Sequence, residues 1–173
     1  LERVPGRFEL ISGSDPIRVV VDYAHTPAGI TEAIEAARLL DPARVIALVG
    51  AGGDRDRGKR PLMGAAVAEA DVVVVTSDNP RSEDPAEIVN EVISGLDLRK
   101  EVIVEVDRRL GIQRALELAV DGDVVLLLGR GHEPSQDVGG RQVPFDDREV
   151  ARGALNRLRR SNESGSESGS IGL

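Results

Sequence analysis

The sequence predicts an α/β domain with a mostly parallel, doubly wound (Rossmann-like) sheet in a three-layer α/β/α arrangement. Apolar, β-branched runs alternate along the chain with segments of helical periodicity, which is the pattern of βαβ units. The runs are continuous, as expected for strands that helices cover on both faces. The length of 173 residues fits one domain.

Five apolar runs are predicted strands, and the fourth is weaker because Glu105 interrupts it. They occupy residues 17–21, 45–49, 72–75, 102–106 and 124–128. The pair Gly139-Gly140 predicts a hairpin before the last helix.

Segments with helical spacing fill the intervals between the predicted strands. Thr26-Pro27 opens the first helix, with Thr26 as a cap and Pro27 in the first turn. The others are expected from about Pro61 to Ala70, from Asp84-Pro85, after Asp107, and from Asp146-Asp147.

The predicted domain covers residues 1–160. Residues 161–173 form a low-complexity Ser/Gly/Glu tail, which is expected to be disordered or an added linker. Because the first residue is Leu1 rather than Met, the chain is expected to be part of something longer.

Composition excludes several classes of function. The net charge of −8 argues against a general nucleic-acid binder, since phosphate neutralisation needs clustered positive charge. The absence of cysteine excludes disulfides, thiolate nucleophiles and Cys-based metal sites. No apolar run approaches the ~20 residues that span a bilayer, so no membrane role is expected.

Polar residues follow four of the predicted strands directly. In open α/β sheets, ligands bind beyond the carboxyl ends of the strands. Both histidines fall in these turns. The four polar turns are residues 22–27, 50–57, 76–81 and 129–133.

The glycine-rich turn nearly matches a phosphate-binding loop. Gly53, Gly58 and Lys59 have the required spacing, but Arg60 stands where Ser or Thr should bind magnesium. Charged residues also occupy the positions whose amides should hold phosphate. A tight strand-to-helix turn explains Gly52 and Gly53 but not the charges. A solvated helix start is an alternative interpretation of the charges from Arg57 to Arg60, and it fits Arg57 better than Arg55.

The segment Asp78-Asn79-Pro80-Arg81 is the stronger candidate site. Pro80 stiffens the turn, and an arginine can bind a carboxylate through two parallel hydrogen bonds. Asp78, with Glu133, is suited to an ammonium group, so the set suits a zwitterionic amino acid. Alternatively, Arg81 pairs with Glu83 or Asp84, and Asp78 caps a turn.

A metal site is a weaker hypothesis. His25 and His132, with Asp22 or Asp78, offer metal-ligand chemistry, but hydrogen-bonding roles are favoured. No metal site is predicted on this chain.

Taken together and in order, these motifs resemble the C-terminal domain of the Mur ligases, specifically of the diaminopimelate-adding branch. The similarity covers roughly residues 3–155. The residues that carry it are Val4-Pro5-Gly6-Arg7-Phe8-Glu9, Asp22-Tyr23-Ala24-His25-Thr26-Pro27, Gly52-Gly53-Asp54-Arg55-Asp56 with Lys59-Arg60-Pro61, Asp78-Asn79-Pro80-Arg81, Gly129-x-Gly131-His132-Glu133, and Phe145-Asp146-Asp147-Arg148-Glu149.

The resemblance implies a cytoplasmic, monomeric, three-domain peptidoglycan ligase. The other two domains would hold most of the ATP and Mg²⁺ and the UDP-N-acetylmuramoyl-dipeptide. ATP would phosphorylate the dipeptide's terminal carboxylate, and the amine of meso-diaminopimelate would attack the acyl phosphate. This chain alone is then expected to be inactive and to bind no cofactor tightly.

The resemblance also assigns residues. Arg81 would bind the distal carboxylate of diaminopimelate, which lysine lacks. The diaminopimelate contacts implied are Arg55, Asp78, Asn79, Arg81, Gly129 and Glu133. The nucleotide contacts implied are Arg7, Asp22 and His25.

Two positions depart from the family pattern. Arg130 replaces a common Lys, which keeps the charge but changes its geometry. Ala28 replaces a common Asp, which weakens the inference at the nucleotide edge. A stand-alone module for small zwitterions and a generic nucleotide-binding domain remain the alternative interpretations.

Overall fold

The computed structural model describes residues 5–13, 15–97 and 99–167. The sequence-based inferences that involve Leu1, Val4 and residues 168–173 therefore lie outside the described residues. The strands are β1 (Glu9–Leu10), β2 (Arg18–Asp22), β3 (Val45–Val49), β4 (Val72–Val75), β5 (Glu101–Val104), β6 (Val124–Leu128), β7 (Ser135–Val138) and β8 (Arg141–Pro144). The helices are α1 (Pro27–Arg38), α2 (Lys59–Val67), α3 (Pro85–Ile93), α4 (Arg108–Leu118) and α5 (Asp147–Glu167).

One sheet forms the middle layer, in the order β1-β2-β6-β3-β4-β5. Its five long strands are parallel, and β1 adds an antiparallel edge. β7 and β8 form a separate antiparallel hairpin around Gly139 and Gly140, as predicted. β1 was not predicted, because a strand of two residues leaves no periodic signal.

Alternate strand residues face opposite helix layers, which makes the fold three-layered. One apolar cluster joins the sheet to α1, α2 and α3, and the other joins it to α4 and α5. On β6, Leu126 belongs to the first cluster and Leu127 to the second. Burial on both faces explains why the strands are continuous apolar runs. The predicted fold class is confirmed.

Helix starts are fixed by side-chain caps, of which Thr26 was predicted as a cap and Asp84 and Asp107 as helix starts. The side chains of Thr26, Asp84 and Asp107 each accept a hydrogen bond from a backbone N–H in the first turn of α1, α3 and α4. Proline occupies the first turn of α1 and α3. Since α1, α3 and α4 are each the next element after a strand of the sheet, these caps also fix the ends of the turns at its carboxyl edge.

Residues 161–167, which belong to the predicted low-complexity tail, are helical. Helix α5 continues through Glu167. Extending an existing helix adds one hydrogen bond per residue without a new nucleation cost, so polar residues of modest propensity can continue it. No helix among the described residues is long and apolar enough to cross a membrane.

Two helical glycines give a paired test of this packing. A Cβ at Gly64 would lie 2.0 Å from the carbonyl oxygen of Val92 in α3, whereas at Gly153 in α5 the nearest atom, on Arg157, is 3.7 Å away. Gly64→Ala should lower the free energy of unfolding by about 1–3 kcal/mol, because the two backbones must separate. Gly153→Ala should raise it by up to about 1 kcal/mol through helix propensity. Urea denaturation of both variants tests the pair, and equal effects would contradict this packing.

Candidate active site

The carboxyl ends of β3, β4 and β6 surround a cavity of about 370 Å³. This volume falls within the range of small-molecule sites, about 300–1,000 Å³. All six residues expected to contact diaminopimelate line it: Arg55, Asp78, Asn79, Arg81, Gly129 and Glu133. The structure therefore brings together residues that are up to 78 positions apart in sequence (Arg55 to Glu133).

A second cavity, of about 290 Å³, lies beside the first. It is lined by the three residues expected at the nucleotide edge, Arg7, Asp22 and His25. Tyr23, His25 and Thr26 line both cavities. Asp22 is already engaged, since its carboxylate accepts hydrogen bonds from the backbone N–H of Phe8 (2.6 Å) and Ala24 (2.7 Å).

Arg81 is held in an uncommon backbone conformation at the first cavity. Its φ of 51° lies in the left-handed region, which costs a non-glycine residue energy that the surroundings must offset. The hairpin supplies the support: the Arg81 N–H donates to Asp137 O (3.0 Å), and the Gly139 N–H donates to Arg81 O (2.7 Å).

The Arg81 guanidinium is anchored on the opposite turn. Nη1 donates to Gly53 O at 2.7 Å. Among the described residues, Arg81 makes no ion pair with Glu83 or Asp84, which was the alternative interpretation. One nitrogen is thus used for anchoring, and the guanidinium has further donors for a ligand carboxylate.

Asp78 and Glu133 give the cavity negative charge beside its arginines. Asp78 is buried, and its Oδ1 accepts from the Asn79 N–H at 2.7 Å. Burial raises the pKa of Asp78, while the nearby guanidinium groups of Arg108 and Arg130 oppose that rise. A ligand ammonium placed here would favour the ionised carboxylate. Cations and anions in one cavity suit a zwitterion.

Arg60 corrects the interpretation of residues 57–60 as a solvated helix start. Its side chain is 1% exposed and pairs with Glu83 (2.7 Å), which precedes α3, and with Glu91 (2.8 Å) of α3. Arg57 is exposed but reaches the same two carboxylates. These ion pairs tie the glycine-rich turn to the residues after Arg81.

Further bonds connect the same two turns. The Asp54 N–H donates to Glu83 Oε1 (2.6 Å), and the Asp54 carboxylate accepts from the N–H and hydroxyl of Ser82. The Gly53 N–H donates to Asn79 O at 2.8 Å. Arg55 and Arg81 are therefore carried by turns that are fixed to each other.

The glycine-rich turn is not a phosphate cradle. The N–H groups of Gly53, Asp54, Gly58 and Lys59 all donate to acceptors within the domain. Gly53 is required for packing, because a Cβ there would lie 1.9 Å from Pro80 O. The explanation of the glycines by tight turn geometry therefore holds for Gly53.

A buried charge network lies beneath the cavity, and sequence reasoning missed most of it. Arg108 and Asp147 are fully buried and form a two-point ion pair, Nε to Oδ1 at 2.9 Å and Nη2 to Oδ2 at 2.6 Å. Arg108 also donates to Ser77 O and Leu128 O, the residues immediately before Asp78 and Gly129. Breaking such a pair costs about 3–5 kcal/mol.

His25 lines both cavities, whereas His132 lines neither, and no metal-binding set of side chains surrounds them among the described residues. His25 Nδ1 lies 2.8 Å from Tyr23 O, and its ring packs edge-on against Tyr23. Across the described ranges, no three His, Cys, Asp or Glu side chains are grouped so that they could hold a metal ion.

Comparison with known proteins identifies the family. The family model for the Mur ligase, glutamate ligase domain, matches residues 6–131. The chain belongs to this family. The named proteins to which it is similar include UDP-N-acetylmuramoyl-L-alanyl-D-glutamate–2,6-diaminopimelate ligases.

Two curated relatives and one solved structure give the extent of the match. The ligase of Solibacter usitatus is 54% identical over 90% of this chain and 32% of its own length. The ligase of Aquifex aeolicus is 44% identical over 88% and 32%. A solved structure of a ligase with the same name is 39% identical, with a TM-score of 0.82 over 92% of this chain and 33% of that one. This chain thus spans about a third of the length of the relatives that it matches.

Glu83 gives a pH test of the connection between the two turns. Hydrogen bonds from Arg60 and the Asp54 N–H hold the pKa of Glu83 at about 2, below its usual 4.5. A lowered folded-state pKa contributes stability above the unfolded pKa, which is lost as the pH falls through the folded one. Glu83→Gln should therefore be less stable than the unsubstituted chain above about pH 5, and the difference should disappear near pH 2. Glu87→Gln, in the exposed first turn of α3, is the control; a difference independent of pH would contradict this role for Glu83.

Proposed function

We propose that this chain is the domain that binds the incoming amino acid in an ATP-dependent ligase, which adds meso-diaminopimelate to UDP-N-acetylmuramoyl-L-alanyl-D-glutamate. One observation carries the proposal: the cavity at the carboxyl edge of the sheet is lined by both cationic and anionic side chains. The high identity to ligases named for this reaction supports the choice of substrate.

The role of the domain in the reaction is to position the amino acid. Arg81 would bind the distal carboxylate of diaminopimelate, and Arg55 would bind a second carboxylate. Asp78 and Glu133 would accept hydrogen bonds from ammonium groups, with Asn79 and Gly129 completing the contacts. Held in this way, the amine that becomes acylated is oriented toward the activated carboxyl group, which lowers the entropic part of the barrier.

ATP and Mg²⁺ would activate the terminal carboxyl group of the dipeptide, and this chain would contribute only one edge of the nucleotide site. Arg7 and His25 are exposed beside Asp22 at the second cavity, and we propose that they contact the nucleotide. A cation and an imidazole fit such a contact, whereas the glycine-rich turn, which lies at the first cavity, offers no phosphate cradle because its N–H groups are used within the domain. We therefore expect the chain alone to be inactive. Its monomeric state and cytoplasmic location remain predictions.

Ligand titration by NMR tests the proposed substrate. Meso-diaminopimelate should shift the resonances of Arg55, Asp78 to Arg81 and Glu133, while L-lysine and ATP should not. Arg81→Gln should weaken diaminopimelate binding about 10-fold or more, because a charge-assisted hydrogen bond is worth about 1.5–3 kcal/mol. Arg141→Gln, with the same charge change on the exposed hairpin strand β8, is the control. Stronger binding of ATP than of diaminopimelate would contradict the proposal.

Gly52→Ala tests the anchoring of Arg81 without removing its charge. A Cβ at Gly52 would lie 2.9 Å from Arg81 Nη1, the end of a flexible side chain. The guanidinium should move, so diaminopimelate affinity should fall while the free energy of unfolding changes by less than about 1 kcal/mol. Calorimetric titration and urea denaturation measure the two quantities. Unchanged affinity would mean that the position of Arg81 is not critical.

A ligation assay tests the expected inactivity. With ATP, Mg²⁺, UDP-N-acetylmuramoyl-L-alanyl-D-glutamate and diaminopimelate supplied, this chain should release no ADP and form no amide product. Product formed by this polypeptide alone would contradict the assignment of carboxyl activation to other domains.

A further inference from the structure

Arg130 lies in the middle of the turn Gly129–Gly131, yet its side chain is fully buried and does not line the main cavity. Nη1 donates to Asn79 Oδ1 at 3.0 Å. Nη2 donates to Ser135 O (2.7 Å) and Phe145 O (3.1 Å). The guanidinium therefore connects the β6 turn to the β4 turn, the hairpin and the start of α5 from behind the site.

The bond to Asn79 determines which way the Asn79 amide faces. Asn79 Oδ1 accepts from both Arg130 Nη1 and the Asp137 N–H (2.8 Å). A flipped amide would place its own NH₂ group against these two donors, so the hydrogen-bond network allows one orientation. That orientation directs Nδ2 to Glu133 Oε2, at 3.0 Å.

The Glu133 carboxylate is fixed in turn through one of its oxygens. Oε2 accepts from Asn79 Nδ2 and lies 3.5 Å from Arg130 Nη1. Within the described part of the chain, Oε1 makes no hydrogen bond. Because Glu133 is 33% exposed and lines the main cavity, its second oxygen is available to a ligand.

Pairing with the buried carboxylate of Asp147 does not by itself explain why Arg130 is buried. Its contact with Asp147 is long, 3.6 Å from Nε, and that Nε has no hydrogen-bond partner among the residues that the structure describes. Asp147 is already paired at two points with Arg108. The short bonds of Arg130 are those to Asn79 and to the backbone around the site.

We propose that Arg130 is a positioning residue that sets the orientation of the Asn79 amide and, through it, directs the Glu133 carboxylate toward the ammonium group of the amino acid. The inference rests on the proposed function for the identity of the ligand. The path from Arg130 to Asn79 to Glu133 is independent of it and can be tested without ligand.

The ligand-free test is the exchange of the Asn79 side-chain amide protons in this chain, measured by NMR. Arg130→Met should speed that exchange at least 10-fold, because the amide can then flip and lose Glu133. Arg130→Lys retains a buried charge and should have a smaller effect. Arg109→Met is the control, since Arg109 and Arg130 both lie over the Phe145 ring (5.4 and 5.5 Å), whereas Arg109 has no hydrogen bond to Asn79 or Glu133 among the described residues. If Arg130→Met folds and the exchange rate of the Asn79 amide protons is unchanged, the proposal is overturned. If Arg130→Met does not fold, an unchanged exchange rate in Arg130→Lys overturns it.

The ligand test is a double-mutant cycle on diaminopimelate affinity. Glu133→Gln should weaken binding about 10-fold in the unsubstituted chain, and by less than 3-fold in the Arg130→Met background, because the carboxylate is already misdirected there. Additive losses would overturn the proposal, since a merely structural Arg130 would affect Glu133 only through overall stability. If the unsubstituted chain binds no diaminopimelate, the proposed function fails for this chain alone, while the exchange measurement still decides the role of Arg130.

Discussion

The buried ion pair between Arg108 and Asp147 determines how the elements meet at the site. Two opposite charges without solvent are costly unless they are paired and their remaining donors are satisfied. Arg108 meets this condition by donating to Asp147 and to the carbonyl groups of Ser77 and Leu128. A single side chain at the start of α4 thus fixes the ends of β4 and β6 and the first residue of α5. The next residue after each carbonyl group, Asp78 or Gly129, lines the cavity.

The turns above this pair are held from the other side by the hairpin. Gln136 of β7 is buried and donates to the Ser77 hydroxyl and the Asp78 carbonyl group, while Asp137 accepts from the Arg81 N–H. The strained Arg81 backbone and the buried Asp78 carboxylate persist because both sides constrain the turn. Fixed charges of this kind favour a ligand with complementary charges, since little reorganisation is needed on binding.

The fold could be predicted because its signals are local, whereas the supporting network could not. A few neighbouring residues are enough to recognise the valine run 72–75, the cap Thr26 and the helix starts at Asp84 and Asp107. The cavity-lining residues were predictable because parallel strands present their carboxyl ends at one edge. Arg60 and Arg108, in contrast, have the sequence context of solvated helix starts. Their partners Glu83 and Asp147 are 23 and 39 residues away, and only the packing of the helices makes them neighbours.

The glycine-rich turn illustrates why a motif has to be checked against its hydrogen bonds. Gly53, Gly58 and Lys59 preserve the spacing of a phosphate-binding loop, but that chemistry depends on N–H groups that are free to face an anion. Here the N–H groups of Gly53 and Asp54 donate to Asn79 and Glu83, which fixes two turns to each other, and those of Gly58 and Lys59 donate to Asp56 within the turn. The same bonds place Arg55 and Arg81 at one cavity. On the proposed function, the turn would contribute to anion recognition through the side chains that it orients, and its backbone serves to hold them.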